Sequence, residues 1–431
     1  MQNIQAYIDL LKAEVVPALG CTEPIAVALA VAKAREVLGE EPQQVELLLS
    51  PNIFKNGMGV GVPLTGITGL PIAAALGAFY GKSSDCLEVL KDVDNETVGN
   101  AKAFVKKGKV SIGVKKDSEK LYIEAICYGI NGNTSKAIIT TKHSNISQIE
   151  FNNEVIECSS EIKVGENENI GSVSKVISPL SVNSIFSFAT TVPYSQIKFI
   201  HKTVEYNYAI AQEGLSKDYG LMVGKKLKEI IDKGILSDDI MNSAMSLTAA
   251  ASDARMSGSV LPVMSNSGSG NQGLTATLPI YSVALQLKSD DEQIARALVL
   301  SHLIAIHIKQ YLGRLSALCG CVVAATGAGC GISYLMGGGE KETIYTIKNM
   351  IGNITGMICD GAKEGCSLKV STGVGAAIQS ALLAIEGVVI SSNDGIIEDD
   401  VEKTIRNLGE VGAKGMTQTD DLLLQIMVSK K

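Results

Sequence analysis

A chain of 431 residues with 46% apolar side chains can bury a large core and has room for two or three domains. Its formal net charge of -7, with Lys and Arg dispersed along the chain, excludes the clustered basic surface that nucleic acid requires, so a small-molecule partner fits better. The opening stretch MQNIQAYIDLLKAEVV has no basic region followed by an unbroken apolar run, which predicts a cytoplasmic protein, and in a reducing compartment nine cysteines point to metal or catalysis rather than to disulfides.

In chain order, Ile4, Ile8, Leu11 and Val15 recur at helical spacing and predict an amphipathic helix that ends before Gly20. GCTEP, Gly20 to Pro24, then leads into the alanine-rich helix IAVALAVAKAREVLG. Thr22 suits a cap and Pro24 the first turn, so Cys21 is expected just outside a helix N-terminus, where the dipole and free amides favour a thiolate. A small buried residue before a helix is the competing reading of Cys21. After the strand QVELLLS comes SPNIFKNGMGVGVPLTGITGLP, read as a glycine-rich loop whose strong polar groups are Asn52, Lys55 and Asn56. Exposed amides and one lysine make an anion site, and neither a Walker nor a dinucleotide pattern is present.

The helix NETVGNAKAFVKKG and the alternating segments KVSIGVKK, EKLYIEAICYG, SKAIITTKH and SQIEFNNEVIEC predict a small unit with an antiparallel sheet. Beyond Gly165 the pattern is helical almost throughout. The expected fold class is therefore α+β: a large, mainly helical catalytic domain, residues 1–40 and 165–431, with a smaller inserted α+β domain at 41–164. Cys86, Cys127 and Cys158 read as small core residues, and His201, His302 and His307 as packed or surface residues on helices.

Ser265 to Gly273, SNSGSGNQG, is a hydroxyl-rich and amide-rich turn leading into a helix. Asn266, Ser267, Ser269 and Asn271 in such a turn can hold a carboxylate without a charged residue, and apolar flanks argue against an exposed linker. The uncharged runs 256–287 and 315–339 are too rich in Gly, Ser and Thr for lipid-facing helices, so no membrane span is expected.

Residues 318–369 hold five of the nine cysteines: Cys319, Cys321, Cys330, Cys359 and Cys366. Thiols concentrated among glycines, in a chain with four histidines, point to a soft metal or an iron-sulfur cluster. Structural zinc normally uses paired C-x-x-C knuckles, which this stretch lacks. The helix SHLIAIHIKQYLGRLSALCG is expected to run up to Cys319. On a helix, Cys319 and Cys321 would point to different faces, so both cannot easily serve one cluster. Cys359 and Cys366 span two helical turns or a loop containing Gly361 and Gly365.

GCTEP, SNSGSGNQG, CGC and DGAKEGCSLKVSTG together resemble the L-cysteine desulfidase family, related to the α-chain of iron-sulfur L-serine dehydratases. The resemblance covers essentially the whole chain and is most specific in DGAKEGCSLKV. It implies an oxygen-sensitive enzyme, free of pyridoxal phosphate, whose [4Fe-4S] cluster helps split L-cysteine into hydrogen sulfide, ammonia and pyruvate. It implies Cys319, Cys359 and Cys366 as cluster ligands and Cys21 as the base. Cys321 and Cys330 are not needed by that assignment, and the oligomeric state, a homodimer included, stays open. The rival readings are an iron-sulfur L-serine or L-threonine dehydratase and, from another class, a structural-metal or electron-transfer protein.

Overall fold

The computed structural model describes residues 4–18, 20–119, 121–158, 180–313 and 317–429. Helix α1 (Ile4–Glu14) is followed by the short strand β1 (Pro17–Ala18) and by α2 (Thr22–Leu38), which ends on Gly39 in the left-handed conformation. Strand β2 (Gln44–Leu49) leads into α3 (Pro51–Gly57), the hairpin β3 (Gly61–Val62) and β4 (Ile67–Thr68), and then α4 (Leu70–Phe79) and α5 (Asn95–Lys106). The stretch expected to be a glycine-rich loop is thus partly helical. Ser50 caps α3 by accepting the Ile53 amide, and Pro51 occupies its first turn.

Strands β5 (Val110–Val114), β6 (Tyr122–Tyr128), β7 (Thr134–Thr140), β8 (Ile146–Phe151) and β9 (Glu154–Cys158) join β2 in a six-stranded sheet of order β5-β2-β6-β7-β8-β9. The sheet is mixed rather than purely antiparallel: β2 and β5 run parallel, and every other neighbouring pair is antiparallel. A parallel pair needs a long crossover, and α3, α4 and α5 supply it. Residues of α2, α4, α5 and the sheet form one core, centred on Leu29, Val31, Leu47, Leu76, Ile123 and Ile139. Helix α2 therefore packs with the sheet, although residues up to 40 were expected to belong to the helical unit.

The second part is α-helical: α6 (Val182–Thr191), α7 (Tyr194–Ile197), α8 (Lys202–Ser216), α9 (Val223–Asp232), α10 (Ile240–Met256), strand β10 (Val263–Met264), α11 (Gly270–Leu287), α12 (Asp291–Leu312), α13 (Gly320–Leu335), α14 (Glu340–Ile354), α15 (Cys366–Ile385), α16 (Val401–Glu410) and α17 (Thr417–Ser429). Its core gathers α1, α6, α12, α13, α14 and α15 around Leu11, Ile185, Phe188, Leu298, Ile304, Ile332 and Ile378. The whole is an α+β fold. Helix α15 is long and apolar enough to cross a membrane by length and composition, and more than half of its apolar window is buried inside the protein.

Two details depart from the cysteine expectations. Cys86 is exposed rather than a core residue, while Cys127 is fully buried. The side chain of Cys158 lies outside the described residues. Helix α12 ends at Leu312 and does not run up to Cys319.

Candidate active site

Several polypeptide segments deliver the site. Residues 317–319 and 357–359 pair antiparallel: the Cys319 amide donates to the Met357 carbonyl at 2.9 Å, and the Cys359 amide to the Ala317 carbonyl at 2.6 Å. This clamp brings together two cysteines 40 residues apart. The next segment, 359–365, is a loop that ends where Cys366 begins α15, with the Cys366 amide donating to the Lys363 carbonyl at 2.9 Å. Gly361 sits at φ +93° against α3, where an added Cβ would stand 2.0 Å from the Lys55 carbonyl oxygen. No other residue fits there without moving the backbone. Asp360 anchors the loop through Lys363 and Lys369.

Cys319 is the N-cap of α13, at φ -69°, ψ 122°, and Cys321 lies in the first turn. Because Cys319 is extended, helical spacing does not apply to it, and its sulfur meets that of Cys321. The Cys321 thiol hydrogen-bonds to Cys319, which lowers the Cys319 pKa from its ordinary value and raises that of Cys321; Lys369 and Lys309 also favour the Cys319 thiolate. Cys359 and Cys366 are close enough to add their charges to those of this pair. Burial pushes the Cys366 thiol up to about 11. Lys309, 3% exposed on α12, faces Cys319, Cys321 and Cys359; burial lowers its pKa, and the thiols oppose that shift. Cys330 is elsewhere, fully buried in α13 with its sulfur 3.8 Å from the Thr343 carbonyl.

Cys21, 6% exposed, is the N-cap of α2 and packs in a small apolar cluster with Val60, Met256 and Cys366. The base candidate and a ligand candidate are therefore neighbours. Burial raises the Cys21 pKa, and the Arg255 guanidinium, which also hydrogen-bonds to it, opposes that shift. Desolvation thus outweighs the helix end that was expected to leave a thiolate.

The turn 265–271 is held beside Cys21 because β1 and β10 pair antiparallel, Pro17 opposite Met264. Asn207 fixes the start of the turn, accepting the Met264 amide at 2.8 Å and donating to the Gly273 carbonyl at 3.2 Å. The turn's own polar groups are largely committed inward. Asn266 donates to Nδ1 of His302 at 3.0 Å and accepts the Ser267 hydroxyl at 2.8 Å. Ser269 caps α11. Asn271 accepts from Ser252 and from Nη1 of Arg255, each at 3.4 Å. The turn was read as holding an anion without a charged residue, yet Arg255 stands beside it.

On α3, Asn52, Lys55 and Asn56 recur at helical spacing on one face, and buried Lys55 pairs with Asp420 of α17 at 2.6 Å. Lys55 also lies near Lys309, which joins this face to the thiol group. Sequence reasoning missed Arg255 and Lys309 as part of the constellation and left open whether Cys321 or Cys330 approaches it; Cys321 does. Arg255 had one available signal: it is a lone cation in AAASDARMSG, among residues otherwise small enough to be buried.

Among the described residues, no three His, Cys, Asp or Glu side chains close on a single metal ion. As a donor set, three buried thiols and half-buried Cys359, with Lys309 and Lys369 near them, match an anionic iron-sulfur cluster, which takes thiolate ligands and gains from nearby positive charge.

With this geometry established, comparison with known proteins decides the family. The serine dehydratase alpha chain model matches residues 85–425. The chain belongs to the serine dehydratase alpha-chain family. A UPF0597 protein of Oleidesulfovibrio alaskensis is 50% identical over 99% of this chain and 98% of its own length. One of Parabacteroides distasonis is 51% identical over 98% and 97%, and one of Aeromonas hydrophila 46% over 99% and 96%. Membership supports a dehydratase or lyase type of chemistry. The family model begins after Cys21 and the α3 face, whereas these relatives match the chain almost end to end.

Proposed function

We propose that this family member is an iron-sulfur-dependent L-cysteine desulfidase, a carbon-sulfur lyase free of pyridoxal phosphate. The observation that carries the reading is the meeting of Cys319, Cys359 and Cys366 beside Cys21. The three thiols would hold a [4Fe-4S] cluster, with Cys321 at its edge. When bound, a cluster with only three protein ligands supplies a Lewis-acidic iron with a free position for a substrate heteroatom.

The chain supplies the proton chemistry and the orientation. Cys21, a thiol at rest because burial raises its pKa, takes the α-proton in its deprotonated form, which the Arg255 guanidinium favours. The electrons of the broken Cα–H bond form the Cα–Cβ double bond, and the Cβ–S pair leaves with sulfur as hydrogen sulfide. The released aminoacrylate tautomerises to the imine, and water hydrolyses it to pyruvate and ammonia. The turn at Asn266, Ser267, Ser269 and Asn271, its polar groups bonded inward, backs the pocket on one side, and the face of Asn52, Lys55 and Asn56 closes the other.

The family description favours a second reading, elimination of water from L-serine by the same steps. The deciding experiment gives anaerobically reconstituted protein L-cysteine or L-serine and follows sulfide, pyruvate and iron content. Sulfide and pyruvate in equal amounts from cysteine, at a kcat/KM well above that for serine, is the expected result. The reverse preference assigns the chain to serine, and full turnover of cysteine by iron-free protein sinks both readings. In the same assay, Cys21→Ala is expected to retain its iron and lose about 100-fold to 10,000-fold in kcat. Unchanged kcat would remove Cys21 as the base.

A further inference from the structure

Arg255 is 7% exposed, near the C-terminal end of α10, and among the described residues it has no carboxylate partner. Its Nη2 donates to the Gly20 carbonyl at 3.1 Å, its Nη1 reaches Asn271 Oδ1 at 3.4 Å and it also hydrogen-bonds to the Cys21 thiol, while the buried Nε has no acceptor among the described residues. A guanidinium does not shed its proton, so burial cannot neutralise it. Burying such a charge without a counter-ion is costly enough that buried charges are paired or coordinate something.

The surroundings say what is missing. Helix α11 starts against the guanidinium so closely that an added Cβ at Gly270 would lie 2.1 Å from Nε. On the same first turn of α11, Gln272 is buried with its Oε1 lacking a donor among the described residues, and its side chain lies against Gly320, between Cys319 and Cys321. One buried donor without a described acceptor and one buried acceptor without a described donor thus both lie at the first turn of α11, with Cys21 beside Arg255. An α-amino acid carries both complements, an anion and an ammonium group separated by one carbon.

We infer that Arg255 is the specificity residue for an α-carboxylate, with Gln272 Oε1 accepting from the α-ammonium group. Held at these points, the substrate presents Cα to Cys21, and its β-substituent extends toward the side where Cys366 packs. A planar fork matched to a carboxylate explains why the position holds arginine rather than lysine. The inference rests on the amino-acid lyase reading for its choice of ligand, but not on which heteroatom leaves.

The test is binding rather than turnover. Calorimetric titration of anaerobically reconstituted protein uses L-alanine, which has no leaving group, and L-alaninamide, which lacks the carboxylate charge. Wild type is expected to bind L-alanine at least tenfold more tightly than L-alaninamide. Arg255→Gln is expected to weaken L-alanine about 100-fold and leave L-alaninamide within threefold, the scale of a lost charge-assisted pair. Arg255→Lys, which keeps the charge and guards against loss of fold, is expected to weaken L-alanine about tenfold. Equal affinity for the two ligands in wild type, no binding of L-alanine, or equal weakening of both ligands in the variants would overturn the assignment. So would an unchanged L-alanine affinity in Arg255→Lys together with Arg255→Gln or, if the glutamine variant does not fold, in Arg255→Lys alone. Tightening of L-alanine by more than tenfold in Cys21→Ala would show that the Cys21 thiolate is the natural partner of Arg255, and would overturn it too. A protein that prefers serine, or that binds no iron, still reads out Arg255 in this titration, so its failure is separable from failure of the lyase reading.

Discussion

The two stretches that looked most functional in the sequence behave in opposite ways. In the cysteine stretch, Cys319, Cys321 and Cys359 find chiefly each other, buried Lys309 and half-buried Lys369, and the Cys366 sulfur has only a weak bond to the Gly361 carbonyl at 3.8 Å, so these sulfurs are left for an external partner. In the turn 265–271, Asn266 and Ser267 bond each other and His302, and Ser269 caps a helix. The difference teaches that polar composition alone does not mark a ligand site. A core polar group with no internal partner does, because leaving it unmatched costs about 1–3 kcal/mol.

The sharpest break between the regions is expected from single cysteine replacements. Cys359→Ala should lower iron content and reduce activity by at least ~100-fold after anaerobic reconstitution, whereas Cys330→Ala, in the α13 core, should keep its iron and lose stability only. Iron retained in the first variant and lost in the second would reverse the assignment of ligands. A smaller effect is expected from Asn266→Ala. It should cost about 1–3 kcal/mol in urea unfolding, because His302 and Ser267 lose their partner, with kcat/KM changed by less than tenfold. A 100-fold loss of kcat/KM at unchanged stability would make the turn a substrate contact and erase the contrast.

The smallest effect concerns acidity. Burial lowers the His302 pKa to about 3, and its neutral ring accepts from Asn266 at Nδ1 and donates to Thr277 from Nε2. The unfolded chain takes up that proton near pH 6.5, so this contribution to stability is complete above that pH and lost as pH falls toward 3. Between pH 7 and pH 5 the loss amounts to about 2 kcal/mol. His302→Gln should remove that slope from denaturation curves, while the opposite contribution of Asp253, whose buried carboxyl is raised to about 6, stays common to both proteins.

Much of the local structure was legible, and the reasons for the gaps are physical. The capping box at Ser181 and Ser184, and that at Asp290 and Gln293, sit where helical patterns begin, and the helices follow. Ser50 and Pro51 carried the same kind of signal for α3, but the glycines after it drew attention to a loop. Cys319 and Cys321 were separated by applying helical spacing to a residue that precedes the helix. The parallel pairing of β2 with β5 joins residues 65 positions apart and has no local signature. Arg255 shows the same limit: the sequence displays the charge, but only the fold shows that no acid among the described residues reaches it.

The backbone clamp between 317–319 and 357–359 has one more consequence. Cys319 and Cys359 are spaced by hydrogen bonds to each other's strand, so the helices between them form a closed excursion whose far bend, at 336–339, lies at the opposite ends of α13 and α14 from the sulfurs. Thermal movement, or even a change of length at that bend, can be absorbed there without altering the distance across which the two thiols work.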